Sequence, residues 1–106
     1  MEVRFVADWT NKEVVLNTDN LTKLETAVMV ASRNNEYSDC LRNPTWTFTI
    51  MDNAEGITSD RQFGGVCSSL MRKGYINVDA YSDEESIFGL TEKGKQLFSD
   101  YNKEGK

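Results

Sequence analysis

Arg61 and Gln62 open a run in which Phe63, Val66, Cys67 and Leu70 recur at i, i+3, i+4 and i+7, the spacing of a helix with one apolar face. A guanidinium donates two parallel hydrogen bonds, and a carboxamide donates one and accepts one. These patterns match the major-groove edges of guanine and adenine. The same periodicity leaves Gly65, Ser68, Ser69 and Arg72 on the other faces, and Arg72 with Lys73 adds positive charge at the far end. The set suits contact with double-stranded DNA, with base edges met by the first turn and phosphates by the cations. The plainer alternative for Arg61 and Gln62 is the solvated first turn of an ordinary helix, with Gln62 closing a capping box on Ser59.

Other chemistries find little support. The chain has 106 residues and no histidine, and Cys40 and Cys67 lack CxxC spacing, so neither a zinc site nor a thiol nucleophile with its usual base is expected. General acid–base catalysis would fall to carboxylate pairs such as Asp83-Glu84 in a turn, and Gly64-Gly65 does not follow a strand as a phosphate-binding loop does. The expectation is a non-enzyme with no metal and no cofactor. The N-terminus has no secretory apolar run, and no stretch is long and apolar enough to span a bilayer. A cytoplasmic protein with both thiols free is expected, with no membrane partner.

Positioning these residues requires a turn, a helix and a stop. Gly56 takes the positive φ that ends a helix, and Ser59 with Gln62 three residues on opens the next, expected over 59–73 and halted at Lys73-Gly74. Ile76-Asn77-Val78 and Ile87-Phe88-Gly89-Leu90 pair as an antiparallel ribbon, and Thr91 caps a final helix from Glu92 to about Tyr101, with Leu97, Phe98 and Tyr101 as its apolar face. Upstream, Val3, Phe5 and Ala7 alternate with Glu2, Arg4, Val6 and Asp8, and Val14 to Leu16 follow the Thr10-Asn11-Lys12 turn, which predicts a β-hairpin over 1–18 that must lie on the rest of the molecule or on a second copy. Asn20 or Thr22 opens the next helix, Thr22 and Glu25 having capping-box spacing, with Leu21, Leu24, Ala27, Val28 and Ala31 as its stripe and its end near Asn34-Asn35. Residues 36–44 are a loop, with room for one helical turn around Ser38 to Leu41. Local propensity and context disagree over Thr45-Trp46-Thr47-Phe48-Thr49-Ile50: the alternation says strand, whereas a helix over about 47–54, with Pro44 as its opener, completes the turn motif. The helix is the reading adopted.

The run Ser69-Leu70-Met71-Arg72-Lys73-Gly74-Tyr75-Ile76, followed by Leu90-Thr91-Glu92-Lys93-Gly94-Lys95, resembles the end of the recognition helix, the wing and the start of the last helix in MarR-like winged-helix regulators. The resemblance covers roughly the last half of the chain. It implies an α+β winged helix-turn-helix: a three-helix core, a two-stranded wing and a C-terminal helix. With the N-terminal hairpin, this makes a single domain over 1–106, whose core spans 20–106. It further implies a transcriptional regulator that inserts the helix over 59–73 into the major groove through Arg61, Gln62, Gly65, Ser68, Ser69, Arg72 and Lys73.

Charge weighs against this. The formal net charge is −5, which repels phosphate overall, but it is uneven: −4 over 1–57 and −1 over 58–106. Lys93 and Lys95 join the basic strip of Arg61, Arg72 and Lys73, while the wing tip Ser82-Asp83-Glu84-Glu85 is acidic where DNA-binding relatives offer Arg or Lys. The alternative partner is therefore another protein, a basic one among the candidates, held by the recognition helix or the acidic wing. MarR-like proteins dimerise through long terminal helices, whereas here only Glu92 to about Tyr101 is expected in that place, so edge pairing of the hairpin is the expected substitute route to a homodimer. Gly64 and Gly65 each cost a helix about 1 kcal/mol relative to alanine. Gly64 is expected at a tight helix contact and Gly65 at a contact surface, unless the helix kinks there.

Overall fold

In the computed structural model, which describes residues 2–7, 12–33, 40, 43–80 and 85–99, two glycines in the left-handed region punctuate the helical half of the chain: Gly56 with φ 88° and Gly74 with φ 87°. Gly56 lies in the turn between α2 (Thr47–Asn53) and α3 (Asp60–Lys73). Gly74 ends α3 by placing its own N–H on the Met71 carbonyl and the Tyr75 N–H on the Leu70 carbonyl, both at 3.0 Å. Around them the described residues form an α+β fold of four helices and two small antiparallel sheets.

β1 (Glu2–Ala7) and β2 (Lys12–Asn17) form the expected hairpin, with Val3 opposite Leu16 and Phe5 opposite Val14. The second edge of β2 is not left open. Asn17 N–H donates to the Leu97 carbonyl at 2.9 Å, Ser99 N–H to the Val15 carbonyl at 2.8 Å, and Phe98 bridges Leu16. The Phe98 ring meets Phe5 edge-on at 6.3 Å, and the Arg33 guanidinium lies 5.1 Å from its centroid. This pairing ends α4 (Glu92–Lys95) well before Tyr101. The Leu97 and Phe98 N–H groups tighten onto carbonyls three residues back, and the chain then turns extended along β2. The expected longer helix loses to that strand contact.

α1 (Lys23–Ala31) is opened by a complete capping box between Thr22 and Glu25 and stops at Ser32. Its buried face is Glu25, Val28, Met29 and Ala31, so Leu24 and Ala27, expected inward, lie only half-buried on the other side. The disputed run divides: Thr45–Trp46 is a two-residue strand, β3, paired with Phe88 and Ile87, and helix α2 starts at Thr47. Pro44 is thus not the helix opener. Lacking an N–H and holding the preceding residue extended, it leads into a strand, and the β-propensity of Thr45 and Trp46 is satisfied there before the helix begins. β3, β5 (Ser86–Leu90) and β4 (Ile76–Ala80) form the second sheet, in that order. The core is drawn from β2, α1, α2, α3, β4 and β5 and from Phe98 beyond α4: Leu16, Met29, Ile50, Leu70, Ile76, Phe88 and Phe98 are each at most 1% exposed. The first helix, expected to run to Asn34-Asn35, ends earlier, at Ala31, because the Ser32 and Arg33 N–H groups tighten onto the Met29 and Val30 carbonyls three residues back. Of the turn expected around Ser38 to Leu41 only Cys40 is described, its N–H donating to the Ser32 carbonyl at 3.0 Å, and the wing tip Ser82 to Glu84 and Tyr101 lie outside the described residues.

The glycines give opposite expectations. A β-carbon at Gly94 would run into the Tyr75 carbonyl oxygen, whereas one at Gly64 or Gly65 meets nothing within 4 Å. Gly94→Ala is therefore expected to destabilise by about 3 kcal/mol or more. Gly64→Ala and Gly65→Ala should each stabilise by about 0.5–1 kcal/mol, all three being read by urea unfolding.

Candidate nucleic-acid interface

Helix α3 begins with an Ser59 cap whose Oγ accepts the Gln62 N–H at 3.1 Å. The return bond is displaced by one residue: Gln62 Oε1 accepts the Thr58 N–H at 2.7 Å, so the carboxamide oxygen is engaged in closing the α2–α3 turn. One face of the helix, Phe63, Cys67 and Leu70, is buried in the core. Burial pushes the Cys67 thiol up to about 12, which leaves it protonated and inert.

A second face turns toward α1. Glu25 is 2% exposed, and its carboxylate accepts hydrogen bonds from the Ser69 hydroxyl, from Lys73 Nζ at 2.6 Å and from the Thr22 N–H at 2.8 Å. Lys73 Nζ also donates to the Asn20 carbonyl at 2.7 Å. Burial raises the Glu25 pKa, but the hydrogen bonds from Lys73, Ser69 and the backbone outweigh it and hold the carboxyl below its ordinary value. Glu25 gives no sign of this role in sequence beyond its capping-box position, because the same carboxylate caps its own helix and binds another.

The third face points outward. Arg61, Gly65, Ser68 and Arg72 are all exposed and follow one another at i, i+4, i+7 and i+11, a single stripe about 16 Å long at 1.5 Å per residue. Neither arginine has a hydrogen bond or ion pair among the described residues. Of the seven residues expected to contact DNA, the structure brings these four together and ties Gln62, Ser69 and Lys73 into the protein. Lys93 is also engaged: its Nζ donates to the Lys73 carbonyl at 2.9 Å and lies 5.2 Å from the Tyr75 ring centroid, satisfying the C-terminal end of α3.

Beside the stripe, Gly64 and Met71 of α3 and Phe48 of α2 line a groove of about 390 Å³ with Cys67, Val78 and Asp60. Phe48 is 50% exposed and Met71 39%, and Trp46 stacks on Phe48 at 6.3 Å and 12°. Gly64 thus faces open space rather than the tight helix contact expected of it. Among the described residues no group of three or more Asp, Glu or Cys side chains is arranged to hold a metal ion, and no helix is long and apolar enough to cross a membrane. No protein-family model, curated protein or solved structure matches the chain.

Glu25→Gln is expected to destabilise the protein by about 1–3 kcal/mol at neutral pH, the range for weakening a buried charged hydrogen-bond set. Because folding lowers the Glu25 pKa, its ionised form stabilises the fold above the unfolded value of 4.5, and that contribution is lost as pH falls through the folded value. The gap in unfolding free energy between wild type and Glu25→Gln should therefore close in acid.

Proposed function

We propose that the chain is a small winged-helix DNA-binding protein of regulatory type, in which α2, the Gly56 turn and α3 form the helix-turn-helix, α1 supports it, and β4 and β5 form the wing. This is the MarR-like arrangement. The observation that carries the reading is the outward stripe of α3, which presents two guanidinium groups without a hydrogen bond or ion pair among the described residues, a serine and a glycine on one exposed face. The element order α1, β3, α2, α3, β4, β5 and the pairing of β3 with the wing strands support it. The two buried free thiols suit work in a reducing cytoplasm.

The arginines have different tasks. They are separated by about 16 Å, more than the roughly 12 Å width of the major groove, so a helix entering by its N-terminal end sets Arg61 at base edges and Arg72 at the phosphate backbone. A second reading, a winged-helix module that binds protein, is favoured by one feature: the exposed Phe48 and Met71 beside Gly64, an apolar surface that phosphate does not need.

Titration against mixed-sequence and selected duplexes at two salt concentrations decides between them. Arg72→Ala should weaken binding to every sequence and reduce the salt slope by about one, while Arg61→Ala should cost about 1–3 kcal/mol on preferred sequences alone. Absence of binding at low salt, or binding indifferent to both substitutions, transfers the function to the protein-binding reading.

A further inference from the structure

Gln62, Ser69 and Lys73 each follow a residue of the outward stripe in sequence, Arg61, Ser68 and Arg72 in turn, and so lie about 100° round α3 from it. All three are engaged within the protein. Gln62 closes the α2–α3 turn through the Thr58 N–H, and Ser69 and Lys73 converge on the Glu25 carboxylate of α1. Lys73 Nζ also donates to the Asn20 carbonyl, and Asn20 Nδ2 donates in turn to the Tyr75 hydroxyl at 3.2 Å. Lys93 Nζ lies over the Tyr75 ring and returns to the Lys73 carbonyl. The last turn of α3 is therefore bonded at once to α1, to the segment before α1 and to α4.

A buried ion pair is a poor means of gaining stability, because desolvating both charges offsets their attraction and apolar side chains of similar volume commonly serve as well or better. Direction is what the pair supplies. Its hydrogen bonds are met only over a narrow range of settings of α3 against α1. Side chains reach about 5–6 Å from a helix axis, so a rotation of about 20° moves the stripe by about 2 Å, beyond the tolerance of a bidentate contact to a base edge. We infer that Glu25, Ser69 and Lys73 are positioning residues for base recognition: they touch no DNA and act by holding α3 at the rotation at which Arg61 meets a base edge. This role in recognition rests on the DNA reading, whereas the bonded corner stands without it. Lys73, a cation that the sequence places in the DNA contact, thus serves specificity from inside the protein.

The triple variant Glu25→Leu, Ser69→Ala, Lys73→Met replaces the polar corner by apolar side chains. The groups it releases, the Thr22 N–H and the Asn20 carbonyl, belong to exposed residues and can be met by water. Its urea midpoint should match or exceed that of wild type. Its affinity for mixed-sequence duplex and its salt slope should be unchanged, while its preference for a selected duplex should fall about tenfold or more. Residual dipolar couplings of the free proteins should fit one orientation of α3 to α1 in wild type and a spread of orientations in the variant. An unchanged preference overturns the inference. So does a salt slope lower by about one, which makes Lys73 a direct phosphate contact, and so does a markedly lower midpoint, since the pair then serves stability. If wild type binds no duplex, the DNA reading fails by itself and the couplings decide alone: an α3 as fixed in the variant as in wild type overturns the positioning role, and an α3 that wanders upholds it.

Discussion

The presentation of α3 depends on one buried carboxylate. Glu25 closes the N-terminus of α1 through Thr22 and simultaneously binds Ser69 and Lys73, one turn apart on α3. Taking an ionised group out of water is costly unless its hydrogen-bonding capacity is met, and here three donors converge on the two oxygens. Because those donors come from two elements, the arrangement that satisfies the carboxylate also fixes the rotation of α3 about its axis relative to α1. With Ser69 and Lys73 held inward, helical geometry leaves Arg61, Gly65, Ser68 and Arg72 outward. The apolar contacts of Phe63, Cys67 and Leu70 would tolerate a range of rotations, whereas a hydrogen-bonded ion pair is far more exacting in direction.

A second junction secures the other end of the helix. Thr91 Oγ1 donates to the Gly74 carbonyl and accepts the Gly94 N–H at 3.0 Å, and the Thr91 N–H donates to the Tyr75 carbonyl at 3.0 Å. Gly94 lies against that same carbonyl so closely that no side chain fits, and Lys93 reaches back to the last turn of α3. The two short runs that stand out in the sequence, Arg72 to Ile76 and Leu90 to Lys95, are thus two halves of one contact. Their residue types follow from it: a left-handed glycine to turn the chain, a threonine to bond both ends, a lysine for the exposed carbonyls and a glycine for clearance.

Local signals of this kind explain what the sequence made legible. Caps at Thr22, Ser59 and Thr91, the stop at Gly74, and the alternation of the hairpin each arise from hydrogen bonds within a few residues, and all appear in the structure; Gly56 has the expected positive φ but in the turn, since α2 already stops at Asn53 with Ala54 as its cap. What was hidden depends on distant partners. The early end of α4 is decided by the edge of β2, some eighty residues away in sequence. The strand at Thr45–Trp46 exists because β5 is available to pair with it, and the rotation of α1 that exposes Leu24 is set by Glu25, a residue that periodicity alone assigns to solvent. At the candidate interface the same limit applies. Exposure of Arg61 and Arg72 follows from helical period, but the engagement of Ser69 and Lys73 requires knowing what α1 presents to them.

That engagement alters the electrostatic balance of any DNA contact. With Lys73 paired to Glu25 and Lys93 bound to a backbone carbonyl, the basic strip expected from sequence loses two of its five cations, leaving Arg61, Arg72 and the half-buried Lys95 on a chain of net charge −5. Each neutralised phosphate contributes a salt slope of roughly 0.9, so one helix of this kind has a small electrostatic reserve and must rely on base-edge hydrogen bonds or on a second helix held at fixed spacing. The absence of side-chain bulk at Gly64 and Gly65 acts in the same direction. It carries a helix-propensity cost that no contact among the described residues offsets, and it permits close approach of an external surface to the backbone of α3. A face with few charges gains most from intimate fit, and these two glycines occupy positions where close fit is open to a partner.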